Sequence, residues 1–187
     1  MRVLAGILTL FMIFSCGPND DTIKQKYLQK GGEIASATQN VLLKNVSQAM
    51  KKGGPEYAIE FCNLNAMVLK DSLSKLYNCE IKRISNKFRN PVDMPQTETE
   101  MEQLNQYEEA FLGGKQLQSN VLLFDNRIEY YKPIMVAKNA CLKCHGEPNI
   151  NISSETLAKI KERYPIDRAT GYALNDFRGA WKITFSK

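Results

Sequence analysis

Five consecutive residues, Cys141-Leu142-Lys143-Cys144-His145, constrain this chain more than any other stretch. They spell C-x-x-C-H, the pattern through which a c-type haem is attached. Two thiols three positions apart reach the two vinyl-derived carbons on one edge of a porphyrin. The adjacent imidazole then meets the iron from one face, and the opposite axial position takes a second ligand or stays open. His145 is the only histidine of the chain, so no other imidazole competes for the iron. Two other chemistries use the same spacing. Cys141 and Cys144 are also half of a zinc site, or a disulfide or redox pair. Zinc calls for a second ligand pair of similar spacing, and Cys62 and Cys79 lie too far apart to form one. Thioredoxin-like motifs open a helix after a strand, whereas Gly146-Glu147-Pro148 stops a helix soon after His145.

The 187 residues suit one domain, and 43% hydrophobic content is enough for a core. The net charge of +5 is modest and spread along the chain. No lysine or arginine block points to nucleic acid, and most of these charges read as a solvated surface.

Residues 1–15 read as an export signal: Arg2, an apolar run from Val3 to Phe14, then Ser15-Cys16-Gly17. The run is short for a transmembrane helix. A cysteine at the cleavage point suggests a bacterial lipoprotein, with Cys16 lipidated and residues 16–21 a polar tether that carries the chain off the membrane. Ile13-Phe14-Ser15 departs from the usual pattern at the bulky Phe14, so a plain secreted protein or an uncleaved anchor is the other reading. The Asp20-Asp21 pair resembles the surface-export signal of some bacterial lipoproteins. The expected location is the cell envelope, as a periplasmic or outer-membrane protein. Export also favours haem at the C-x-x-C-H, because covalent attachment takes place outside the cytoplasm and exported free thiols tend to oxidise.

Residues 22–187 are read as one haem-binding domain. Ile34, Thr38, Val41, Leu42, Val46, Ala49 and Met50 recur at helical spacing, with Gly31-Gly32 a candidate break. Lys51-Lys52-Gly53-Gly54 ends this helix, and Pro55 opens the next. The second helix runs to Leu76 with Ile59, Cys62, Ala66, Leu69, Leu73 and Leu76 on one face. A cysteine on such a face is ordinarily a small buried hydrophobe. With histidine exhausted, the sixth iron ligand is Cys62, Cys79, a methionine such as Met67 or Met94, a lysine, or nothing.

The pattern then changes period. Residues 78–85 alternate as a strand. Residues 98–111 read as an acidic helix with Met101, Leu104, Tyr107 and Phe111 inward. Residues 121–124 and 128–137 read as two strands joined at Asp125-Asn126, 153–164 as a helix and 179–185 as a last strand. Helices first, then a mostly antiparallel sheet, make an α+β domain.

Several stretches together resemble a family of bacterial single-haem c-type proteins with a PAS-like fold. Its members occur as stand-alone exported or lipid-anchored proteins and as the sensing portion of histidine kinases. The matching pieces are Tyr57-Ala58-Ile59-Glu60-Phe61-Cys62, residues 82–91 (Lys82 to Pro91), Tyr131-Lys132-Pro133-Ile134, residues 141–148 (Cys141 to Pro148), and Thr170-Gly171-Tyr172 followed by Phe177-Arg178-Gly179-Ala180-Trp181. The chain departs from the pattern at Asn175-Asp176 and at Trp181-Lys182. The resemblance implies an antiparallel sheet with the haem against one side and the N-terminal helices packed over it. It also implies Cys62 as the axial ligand opposite His145, with a low reduction potential because a thiolate stabilises ferric iron. Arg83, Arg89 and Arg178 lie within the matched segments. Guanidinium groups pair well with haem propionates, though each alone is as readily a structural salt bridge. Trp181 and Tyr131 are candidates to pack on the porphyrin or to be ordinary sheet residues.

The expected function is a haem c protein in redox or small-ligand sensing, or electron transfer, signalling to or exchanging electrons with a separate protein. It is not expected to be an enzyme: a peroxidase needs distal acid–base groups, and no second histidine supplies one. A zinc-stapled exported module is the other class, told apart by colour and metal content.

Overall fold

Helix α1 covers Asp20–Tyr77 in a computed structural model that describes residues 19–187. The export signal and Cys16 lie outside the described residues. Asn19 caps the helix by accepting the Thr22 N–H at 2.9 Å, and Asp20 and Asp21 sit at its positive end. The helix therefore starts inside the stretch read as a tether. Gly53 and Gly54 interrupt it. Gly54 has φ 71°, which glycine adopts without a Cβ clash, and Pro55 restarts the helix. Ile23 and Leu73 would stand about 75 Å apart on a straight helix. Both pack on the same core cluster, so the chain reverses at the two glycines and α1 is a helical hairpin.

Gly31-Gly32 does not break the helix. A Cβ at residue 31 would fall 2.3 Å from the Tyr130 ring, so the glycine lets α1 lie flat against the sheet. That sheet is antiparallel with four strands, β1 (Glu80–Ile84), β2 (Asn120–Leu123), β3 (Arg127–Met135) and β4 (Phe177–Ser186), in the order β1-β4-β3-β2. Among the described residues the remaining helices are α2 (Glu98–Leu112), α3 (Asn139–His145) and α4 (Ser154–Arg163). The α+β expectation is met.

The pleat separates two cores. Ile81, Tyr130, Trp181, Ile183 and Phe185 point to α1 and bury Ile34 and Ala35. Ile84, Tyr131 and Ala180 point to α2 and meet Leu104 and Tyr107. The inward face of α2 differs from the expected one: Met101 is exposed, while Glu100 and Gln103 are buried. The reason is polar. Glu100 lies beneath the helix to receive Lys82 and Lys182, paired neighbours on β1 and β4. A third cluster, Ile59, Ile152, Ile160 and Tyr164, joins the second arm of α1 to α4 and takes in Cys144 at its edge.

Candidate functional site

The chain leaves β3 through a pair of bonds, Val136 N–H to Asp176 O at 2.9 Å and Asn175 N–H to Val136 O at 2.8 Å. It enters α3 directly, so C-x-x-C-H forms a short helix anchored to the end of the sheet. Gly146 stops α3 where a Cβ would strike Asn151 at 2.5 Å. Residues 169–172 then run alongside, tied by Gly171 N–H to Gly146 O (2.8 Å) and Tyr172 N–H to His145 O (2.9 Å).

This strap fixes the histidine. Nδ1 of His145 lies 2.7 Å from the Ala169 carbonyl. A carbonyl only accepts, so Nδ1 carries the proton and Nε2 is the ring's free lone pair. Burial, then the positive charges of Arg178 and Arg89, hold the His145 pKa well below its usual range. The ring is therefore neutral at physiological pH, the form that ligates metals. Tyr172 stands edge-on to it, 6.4 Å between ring centres.

Cys62, Cys79, Cys141 and Cys144 are all unpaired and half-buried. Cys62 reaches the site from the second arm of α1, close enough to Cys144 for the charge of one to raise the pKa of the other. Burial pushes the Cys144 thiol up to about 11 against the pull of Arg89. Burial likewise raises Cys62, against Arg83 and Arg89. Cys79 lies elsewhere, against the α1–sheet core. Met67 and Met94 are exposed, 42% and 43%. Among the described residues no group of three or more His, Cys, Asp or Glu is arranged to hold a metal ion, so the second ligand pair of a zinc staple is not assembled.

All three arginines converge on this end of the sheet, with different partners. Arg83 is held by Asp93 through Nε and Nη2. Arg89 donates Nε to Asp167 at 3.0 Å and Nη2 to the carbonyls of Cys144 (2.6 Å) and Ala169 (3.3 Å), so it braces α3 and the strap. Arg178 donates Nη1 to Ser85 Oγ (2.8 Å) and Lys87 O (2.9 Å). Trp181 and Tyr131 are not here. Trp181 is in the α1 core with its indole N–H on Gln39, and Tyr131 is in the α2 core with its hydroxyl donating to Glu129 at 2.7 Å. The sequence reading missed Asp93, Asp167, the Ala169 carbonyl and the wall formed by Ile59, Ile152 and Tyr164. The Tyr172 segment was the nearest signal for the strap.

Comparison with known proteins agrees with this architecture. A family model described as Tll0287-like matches residues 21–186. The crystal structure of the cyanobacterial heme-protein Tll0287 superposes with a TM-score of 0.65 at 22% sequence identity, covering 87% of this chain and 96% of that one. At that identity the likeness speaks for the fold. No curated protein matches the chain.

Proposed function

Since the chain belongs to the Tll0287-like family, we propose that it is a haem c protein of the cell envelope. In this reading Cys141 and Cys144 would hold one haem covalently, and His145 and Cys62 would ligate its iron. The observation that carries it is His145: a neutral imidazole with Nδ1 tied to Ala169 O at 2.7 Å and Nε2 free, on the same short helix as two unpaired thiols. The solved structural relative is a heme-protein, and the four-stranded sheet with helices on both faces is read as PAS-like.

Bound there, haem supplies one-electron chemistry, and a thiolate on its iron favours the ferric state. The protein's own part is positioning. The Ala169 carbonyl fixes the tautomer and plane of His145. Arg89 keeps α3 against the strap through the Cys144 and Ala169 carbonyls. Arg83 and Arg89 favour the charged form of Cys62. Ile59, Ile152 and Tyr164 exclude water beside Cys144. With the one histidine engaged, no imidazole remains for distal acid–base work. The role is therefore electron transfer or redox and small-ligand sensing rather than catalysis, with a separate protein partner. Export and lipidation at Cys16 belong to the same proposal.

The test is the haem content of the mature protein co-expressed with haem-attachment machinery. Haem that stays with the polypeptide through acid–acetone extraction is the expected result. A colourless protein holding stoichiometric zinc would overturn the proposal in favour of a zinc-stapled module.

A further inference from the structure

The three arginines differ in which edge of the guanidinium is spent. The Nε–Nη2 edge is the side that takes a carboxylate through two parallel bonds. On Arg83 that edge is on Asp93, and on Arg89 it is on Asp167 and two carbonyls. On Arg178 the two bonds to Ser85 and Lys87 both leave from Nη1. Among the described residues its buried Nε and Nη2 have no hydrogen-bond partner, and the residue is only 6% exposed. A buried donor without an acceptor is destabilising, and more so when it is charged. Burial, then the neighbouring charges of Arg83 and Arg89, pull the Arg178 pKa down to about 10 against the opposing charges of Tyr172 and Asp93. Its position is secured from all sides. Gly179, with φ 146°, lets β1 approach so closely that a Cβ would lie 2.4 Å from Ile84 O, and this brings Ser85 Oγ to the guanidinium. The Tyr172 ring lies 5.3 Å from Cζ, and the same ring borders His145.

We propose that Arg178, alone of the three arginines, receives a carboxylate of the bound haem on its Nε–Nη2 edge, while Arg83 and Arg89 spend that edge on the protein. The assignment rests on the haem reading. It requires an acidic ligand beside His145 and Tyr172, and a haem propionate is the carboxylate that a C-x-x-C-H-bound group carries.

The experiment uses the holoprotein with ¹³C-labelled haem carboxylates and reads their bands in oxidised-minus-reduced infrared difference spectra. Wild type is compared with Arg178→Gln, Arg178→Lys and Arg83→Gln. The expected result is a shift of one labelled carboxylate band in both Arg178 variants, with Arg83→Gln leaving it in place. Bands unchanged in the Arg178 variants, or moved equally by Arg83→Gln, would overturn the assignment and leave the haem reading intact. Should Arg178→Gln fail to fold, Arg178→Lys decides alone, because it keeps the charge and removes the fork. A wild type without covalent haem defeats the underlying reading instead, and the two failures are told apart by colour.

Discussion

Two charge clusters lie at this sheet, one beneath α2 and one around α3, and each sets three cations against two carboxylates. Beneath α2, Lys82, Lys182 and Arg127 meet Glu100 and Glu129 at 2.8–3.1 Å, and every cation has a carboxylate. Around α3, Asp93 takes Arg83 and Asp167 takes Arg89, while among the described residues Arg178 has none. The surplus charge ends in different places. In the first cluster Arg127, its side chain 38% exposed, carries it to water. In the second it stays buried on Arg178, 6% exposed. Equal counts of charge thus describe a closed structural network in one case and an open one in the other. On our proposal the unclosed edge, rather than burial or charge alone, marks the ligand's place.

The largest effect that sharpens this contrast is at the open cluster. The double variant Cys141→Ser/Cys144→Ser is expected to abolish covalent haem, seen as loss of the haem band that survives acid–acetone extraction on a denaturing gel beside wild type. At the closed cluster, Glu100→Ala leaves the half-buried Lys82 without its carboxylate and Lys182 with Glu129 alone. It should cost about 3 kcal/mol in urea unfolding and leave the haem spectrum unchanged. A change in that spectrum would mean that the two clusters are coupled. Gly179→Ala tests their shared edge. Added strain and a Cβ against Ile84 O are expected to cost about 2 kcal/mol and to disturb the Ser85–Arg178 contact, read as a shifted reduction midpoint.

The smallest effect is acid sensitivity. Burial raises Glu100 and Glu129, but for Glu100 the Gln96 N–H and the lysines, and for Glu129 Arg127, Tyr131 and Lys182, outweigh it, so both pKa values are lowered. Their stabilisation is present above the ordinary carboxylate pKa of about 4.3 and is lost as pH falls through the lowered folded values. Melting temperature should therefore drop in that acid window, and Glu129→Gln should flatten the drop.

What the sequence disclosed follows how local each signal is. The two arms of α1, the turn at Gly53-Gly54, α4 and the last strand came from periodicity and capping, which neighbouring residues determine. Gly31-Gly32 misled because its reason is the Tyr130 ring 99 positions away. Met101 was grouped with Leu104, Tyr107 and Phe111 by apolar spacing, and only the facing lysines of β1 and β4 explain why Glu100 is buried instead. Lys182, which departs from the family pattern, is the same case. At the site, C-x-x-C-H and the lone histidine were plain, while position made Cys62 one of several candidate ligands and the resemblance singled it out. The three arginines read alike, because Asp93, Asp167 and Ser85 meet them only through tertiary structure.

The most direct measurement of the central claim is the ferric optical and electron-paramagnetic spectrum of covalently loaded wild type beside Cys62→Ala. The account expects a low-spin, thiolate-ligated iron in wild type. In Cys62→Ala that signature should be lost and the midpoint potential should rise, with the haem still bound to the chain. Identical spectra and potentials in the two proteins would contradict Cys62 as ligand. Haem that washes out of wild type on extraction would contradict the site itself.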